Sequence, residues 1–179
     1  MPFAVTPADR ARLVRGLVPA AVVMVLDQIT KLVMVGAVMQ PSRVIEVTPF
    51  FNLVMTWNRG VSFGMFNTGS PWNAWVLTAV ALVICAALVA WLRKAEGRWV
   101  PLALGLVIGG ALGNVIDRLH WGAVADFLDF HAFGYHWPAF NLADSAITVG
   151  AAALVLDSLF AGPEKPKLPP EGADSKDSA

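Results

Sequence analysis

Four runs of about twenty apolar residues, at 17–39, 72–92, 99–116 and 142–160, constrain this chain more than any other feature. That length spans the hydrocarbon core of a bilayer as a helix. With 56% hydrophobic and only 15% charged residues, the 179-residue chain departs from the roughly 45–50% and about 25% of soluble domains. An integral membrane protein of four helices is expected. Thirteen Lys and Arg balance 13 Asp and Glu, so there is no basic footprint of a nucleic-acid binder. The single Cys85, inside an apolar run, excludes a disulfide framework and a Cys-rich metal site.

Basic residues set the expected orientation. Arg10, Arg12 and Arg15 precede the first span, Arg93, Lys94 and Arg98 join the second to the third, and Lys165, Lys167 and Lys176 follow the fourth. The other two connections hold only Arg43, Arg59 and Arg118, which places both termini in the cytoplasm. The first run contains Asp27 and Lys31 and lacks a small-residue cleavage site, so it reads as a retained span. The expected organisation is a cytoplasmic segment 1–16, a membrane domain 17–161 and a Pro-rich, disordered cytoplasmic tail 162–179. Between the first two spans, residues 40–71 are too long for a turn, and the β-branched and aromatic stretch 44–55 predicts a short strand pair on the outer surface.

Ionisable residues within spans need partners or a function. Asp27 and Lys31 are four apart on one helical face and can pair, so replacing both should leave no stranded charge. In the third span, Gly105, Gly109 and Gly113 have the spacing that lets helices approach closely. Gly110, Asn114 and Arg118 form a polar row near its outer end, with Asp117 beside it. Asp126 follows that end, and Asp144 opens the fourth span on the same side.

Two carboxylates brought together there are the chemical minimum for aspartic proteolysis. One takes a proton from water while the other, protonated, binds the scissile carbonyl, and like-charge repulsion keeps one proton shared. Spacing alone equally allows Asp144 as a helix-start carboxylate and Asp126 as a solvated loop residue. Asp129 is a rival partner, read as solvated or loop-capping. Ser62, Ser70 and Ser145 lack a nucleophile-elbow context, and His120, His131 and His136 lack the spacing of a zinc protease and read as interfacial loop residues. No catalytic metal or cofactor is expected.

Five strings then occur in one order: Asp27-Gln28-Ile29-Thr30-Lys31, Asn58-Arg59-Gly60-Val61-Ser62-Phe63-Gly64, Gly113-Asn114-Val115-Ile116-Asp117-Arg118, Gly122-Ala123-Val124-Ala125-Asp126-Phe127 and Phe140-Asn141-Leu142-Ala143-Asp144. Each is weak alone, and the ordered set resembles bacterial lipoprotein signal peptidase, signal peptidase II. The resemblance implies a four-helix inner-membrane aspartic endopeptidase with an extracytoplasmic β-cradle, at about 40–71 in this chain. Such an enzyme removes the signal peptide of a diacylglyceryl-modified prolipoprotein by cutting just before the lipid-modified Cys.

By motif position, the resemblance makes Asp126 and Asp144 the dyad and Asn114, Arg118 and Asn141 its positioning residues. Asp27, Lys31, Asn58, Gly60, Gly110 and Ala143 match other motif positions around the site. Ala125, where a larger aliphatic residue is frequent, and Trp137, where Phe is frequent, depart from the pattern. Implied partners are prolipoproteins and membrane lipid, with a monomer as the default. A small ion-coupled transporter using Asp27, Lys31 and Asp144, or a non-catalytic scaffold using only the glycines, are the alternatives.

Overall fold

In the computed structural model, residues 6–60 and 72–160 are described, so Ser62, Ser70, the later part of the expected cradle segment and the tail from Gly162 lie outside the described residues. Four long helices and one small sheet account for most of the rest. Helix α1 (Pro7–Val33) begins ten residues before the expected span, because Thr6 and Asp9 form a reciprocal cap. Thr6 Oγ1 accepts the Asp9 N–H at 3.1 Å, and the Asp9 carboxylate accepts the Thr6 N–H at 3.0 Å. A π-helical turn (Met34–Val38) continues α1 toward the sheet.

Helix α2 (Trp72–Leu92) is apolar on every side and buries few of its side chains. Its exposed residues, among them Val76, Val80 and Val83, face what would be water in a soluble protein and suit lipid instead. Helix α3 (Trp99–Trp121) is the central element, packing against all three others and burying a far larger share of its surface. It runs five residues beyond the expected end and stops at Gly122, whose φ of 72° closes the helix as a left-handed cap. Helix α4 (Leu142–Phe160) completes the bundle.

The sheet lies at the end of the bundle where α1 and α3 finish and α2 and α4 begin. Its antiparallel order is β1 (Ile45–Thr48), β2 (Phe51–Asn58), β3 (Val124–Ala132) and β4 (Tyr135–His136). The first two strands match the expected pair. Strand β3 is a correction to the reading of Asp126 as a loop residue: Thr56 pairs with Asp126, Trp57 with Ala125 and Asn58 with Val124. Its first residues are buried on both faces, so they lack the alternation that marks a half-buried strand. Met34 and Met39 pack with Phe127 beneath the sheet, while Leu92, Ala95 and Leu104 form a second cluster toward the opposite end.

Close approach of α1 and α3 explains two of the glycines. A methyl group at Gly105 would meet the carbonyl oxygen of Gly16, and one at Gly109 that of Ala20. Small residues four apart on both helices therefore bring the backbones into contact. Gly105→Ala and Gly109→Ala should each destabilise the protein by about 1–3 kcal/mol, the usual cost of overpacking. Thermal unfolding in detergent measures this, with Gly36→Ala, at a site with open space, expected to match the parent.

Candidate active site

Four pieces of chain converge at the sheet end of the bundle. Helix α1 supplies Asp27, Gln28 and Lys31, and α3 supplies Asn114, Asp117 and Arg118. Asn141, Ala143 and Asp144 come from the start of α4, and the strands bring Asn58 and Asp126. Lys31, Asp27 and Asp117 have no solvent exposure, so their charges must be answered locally. Lys31 Nζ lies 2.8 Å from Asp27 Oδ2 and 2.7 Å from Asp117 Oδ2, and it donates to Asn114 Oδ1 at 2.9 Å. The expected pair is present, but Asp117 is a second carboxylate on the same ammonium, so replacing Asp27 and Lys31 together still strands a charge.

From Asn114 the network reaches the first candidate carboxylate. Asn114 Nδ2 donates to Asp144 Oδ1 at 2.8 Å. Asp144 is also a helix-start residue, since Asn141 Oδ1 accepts its N–H at 2.9 Å and its Oδ2 accepts the Asn141 N–H at 3.3 Å. This reciprocal cap fixes Asp144 at the head of α4, so the helix-start reading and the site reading describe one arrangement. A methyl group at Gly110 would strike the Ala143 carbonyl, and its absence lets α4 come near enough for Asn114 to reach Asp144. At Gly113 a methyl group would meet Asp27 Oδ2, so that glycine leaves room for the buried carboxylate.

Asn141 also links the two candidates, donating from Nδ2 to Asp126 Oδ1 at 2.7 Å. Asn58 Nδ2 reaches Asp126 Oδ2 at 3.2 Å, across the pairing of β2 with β3. Burial and the neighbouring Asp144 carboxylate push the Asp126 carboxyl up to about 7, against the opposing hydrogen bonds from Asn58 and Asn141 and the attraction of Lys31. A cavity of about 190 Å³ opens on the Asp144 side, bounded by Asn58, Asn114, Arg118, Val124, Asp144 and Ile147. Arg118 donates to the carbonyl oxygens of Asn114 and Gly60, each at 3.3 Å, and the Gly60 N–H donates to Asn58 Oδ1 at 3.1 Å. Arg118 thereby ties the end of β2 to α3 at the rim of the cavity.

A family model described as signal peptidase (SPase) II matches residues 19–160. The chain belongs to the signal peptidase II family. It is 53% identical over 156 residues to the lipoprotein signal peptidase of Azoarcus sp. (strain BH72), covering 87% of this chain and 88% of that protein. Its identity to the lipoprotein signal peptidase of Aeromonas hydrophila subsp. hydrophila is 46% over 152 residues, 84% of this chain and 91% of that one. A bacterial membrane enzyme solved at 2.3 Å superposes with a TM-score of 0.74 at 32% identity, covering 86% of this chain and 93% of the other. As a signal peptidase II, the protein is a multi-pass membrane aspartic peptidase.

Every residue expected around the site, Asp27, Lys31, Asn58, Gly60, Gly110, Asn114, Arg118, Asp126, Asn141, Ala143 and Asp144, sits in or against this network. Two further members, Asp117 and Gln28, were visible only as neighbours of motif residues. Gln28 Nε2 donates to Asp117 Oδ1 at 2.8 Å and to the Gly113 carbonyl at 3.1 Å. The solvated reading of Asp129 is corrected: it is buried, accepts from Asn52 Nδ2 at 3.1 Å and faces His136 Nδ1 at 2.9 Å. His136 belongs to β4 and is committed to that contact. The transporter and scaffold alternatives find no support in this signal peptidase II, where Asp27 and Lys31 close on each other instead of lining a path.

The charge arithmetic predicts an uneven set of stabilities. Lys31→Met leaves two buried carboxylates without a cation and should cost about 3–5 kcal/mol, whereas Asp27→Asn leaves Lys31 balanced by Asp117 and should cost much less. Adding Asp27→Asn to Lys31→Met should recover little. Adding Asp27→Asn and Asp117→Asn together should recover most of the loss. Thermal unfolding of these four variants in detergent tests the count; equal stability of the double and triple variants would contradict it.

Proposed function

We propose that Asp126 and Asp144 form the catalytic dyad with which this enzyme removes signal peptides from prolipoproteins, cutting before the diacylglyceryl-modified Cys. The observation that carries this reading is the pair of carboxyls linked through Asn141, one of them raised to about 7 beside the other, which lines a cavity. One shared proton then lies on the pair near neutral pH. Substrate enters with its scissile carbonyl against the protonated carboxyl. The ionised carboxylate takes a proton from water as the water oxygen attacks the carbonyl carbon, and the neutral carboxyl protonates the carbonyl oxygen. Collapse of the tetrahedral intermediate breaks the C–N bond, with a proton passing from the dyad to the leaving amine. No covalent enzyme intermediate forms.

Placement supports the same assignment. The basic residues favour a bacterial inner-membrane orientation with both termini in the cytoplasm and the sheet end facing outward. There the acyl chains of the substrate remain in lipid while its scissile bond meets water. Among the described residues, the carboxyl and amide groups of the site bond directly to one another within a single bundle, which is compatible with a monomer in lipid, with the peptidase unit within 17–161. Removing the segment from Gly162 onward should leave turnover intact.

Cleavage of purified, lipid-modified prolipoprotein in detergent is the test. Asp126→Asn and Asp144→Asn should each lose activity while remaining folded, because Asn keeps the shape but cannot carry the shared proton. Asp129→Asn should retain most of it, since its bonds lead to Asn52 and His136. Wild-type turnover by either of the first two variants would sink the dyad.

The pH profile follows from the raised carboxyl. Above about 7, Asp126 loses its proton and both carboxyls become ionised, so the rate should fall with an alkaline midpoint in that region. At acid pH the second carboxyl gains a proton, the base is lost, and the rate falls again. A rate constant from pH 5 to about 9 in folded enzyme would contradict a shared proton.

A further inference from the structure

Each residue that precedes a dyad carboxylate has its backbone N–H held by a buried acid. The Ala125 N–H donates to Asp117 Oδ2 at 3.2 Å, and the Ala143 N–H donates to Asp27 Oδ1 at 2.9 Å. Lys31 Nζ joins the two acids, so one path of charged contacts runs from the residue before Asp126 to the residue before Asp144. Asp117, Lys31 and Asp27 along this path are wholly buried.

The number of charges is the informative feature. Lys31 and Asp117 by themselves fasten α1 to α3, and they neutralise each other. Asp27, on the same helix as Lys31, is a second carboxylate that this fastening does not need, and a further buried charge in a bundle surrounded by lipid is costly. The extra acid captures the Ala143 N–H at the head of α4, while Asp117, beyond its ion pair with Lys31, captures the Ala125 N–H at the start of β3, an element separated from α4 by the whole β3–β4 excursion. Gln28 occupies the other oxygen of Asp117 and fixes its rotamer.

We propose that Asp117 is a positioning residue for peptide cleavage: with Lys31 and Asp27 it clamps the backbone at Ala125 and Ala143 and so sets the separation of the two catalytic carboxyls. This inference rests on the dyad reading above. A fixed separation matters because sharing one proton and attacking through one water both depend on the distance between the carboxyls, and displacement of reacting groups by about 1 Å can cost a hundredfold in rate. Asp117 itself is buried among α1, α3 and β3 and acts through the backbone, without touching the substrate.

Asp117→Asn in the full-length enzyme is the first test. Asn keeps the shape, leaves Lys31 balanced by Asp27, and offers one oxygen where Gln28 and Ala125 need two acceptors. Thermal unfolding in detergent should stay near that of the parent. Turnover per folded enzyme, kcat, should fall about ten- to a hundredfold with KM on lipid-modified prolipoprotein changed by less than about twofold, the signature of displaced reacting groups and not of lost binding.

Asp117→Glu restores the charge but carries the carboxyl one methylene further, and should not restore kcat. Wild-type kcat in folded Asp117→Asn, or full recovery in Asp117→Glu, would overturn the clamp. Should both Asp117 variants fail to fold, Gln28→Met removes the donor that orients Asp117 without changing any charge. It should lower kcat at unchanged unfolding temperature, and an unchanged kcat would overturn the proposal. Asp126→Asn in the same assay separates the two readings. If that variant cleaves, the dyad fails; if it is inactive while folded Asp117→Asn turns over normally, only the clamp fails.

Discussion

One ammonium group, held away from water and lipid, organises this enzyme. An ammonium has three N–H donors, and Lys31 places them toward Asp27, Asp117 and Asn114 at 2.8, 2.7 and 2.9 Å. In a bundle whose outer surface meets hydrocarbon, helix association gains nothing from the hydrophobic effect and depends on close packing and satisfied polar groups. The small residues that bring α1 against α3 make the packing, and Lys31 sets the register in which they meet. Without that register Gly113 would not face Asp27, and Asn114 would not stand between Lys31 and Asp144.

The end of the molecule that holds the proposed dyad combines two environments. Asp144 sits at the head of α4 in a reciprocal cap with Asn141, a position where a carboxylate is favoured by the unpaired N–H groups of the first turn. Asp126 sits on a buried strand, where desolvation favours its neutral form. Two chemically identical side chains thus sit in different surroundings, a helix terminus for one and a buried strand for the other. Acid and base work from a pair of carboxyls requires that kind of asymmetry.

The sheet is more than a cover over the bundle. Strand β2 presents Asn58 to Asp126, and Arg118 reaches back from α3 to the Gly60 carbonyl at the end of that strand. Farther along β3, Asp129 binds Asn52 of β2 and His136 of β4 and so ties β3 to the strand on either side. Two aspartates only three positions apart on one strand thus belong to separate networks, one bonded to Asn58 and Asn141 and the other to Asn52 and His136.

Much of this was legible in the residues themselves. Apolar run length defines four helices because a bilayer admits few other solutions, and the spacing of Asp27 and Lys31 defines a pair because a buried charge must be answered nearby. The strings around Asp126 and Asp144 point to the proposed dyad through their resemblance to the signal peptidase II pattern. The starts and stops of helices were less legible: α1 begins at a Thr6–Asp9 cap outside its apolar run, and α3 continues to Gly122 past the last apolar residues. Strand β3 was hidden because its first residues are buried on both faces and its partner lies about seventy positions earlier in the chain. Asp117 and Asp129 were ambiguous for the same reason, since a carboxylate's role depends on which donors surround it. The sequence by itself determined the membrane class and the number of spans, because those follow from local composition and run length, and through the ordered family strings it pointed to Asp126 and Asp144 as the proposed dyad. Only the tertiary structure decided that Asp117 shares Lys31, that Asp129 serves the sheet and that Asn141 joins Asp126 to Asp144, because each of these contacts joins elements that the chain itself keeps apart.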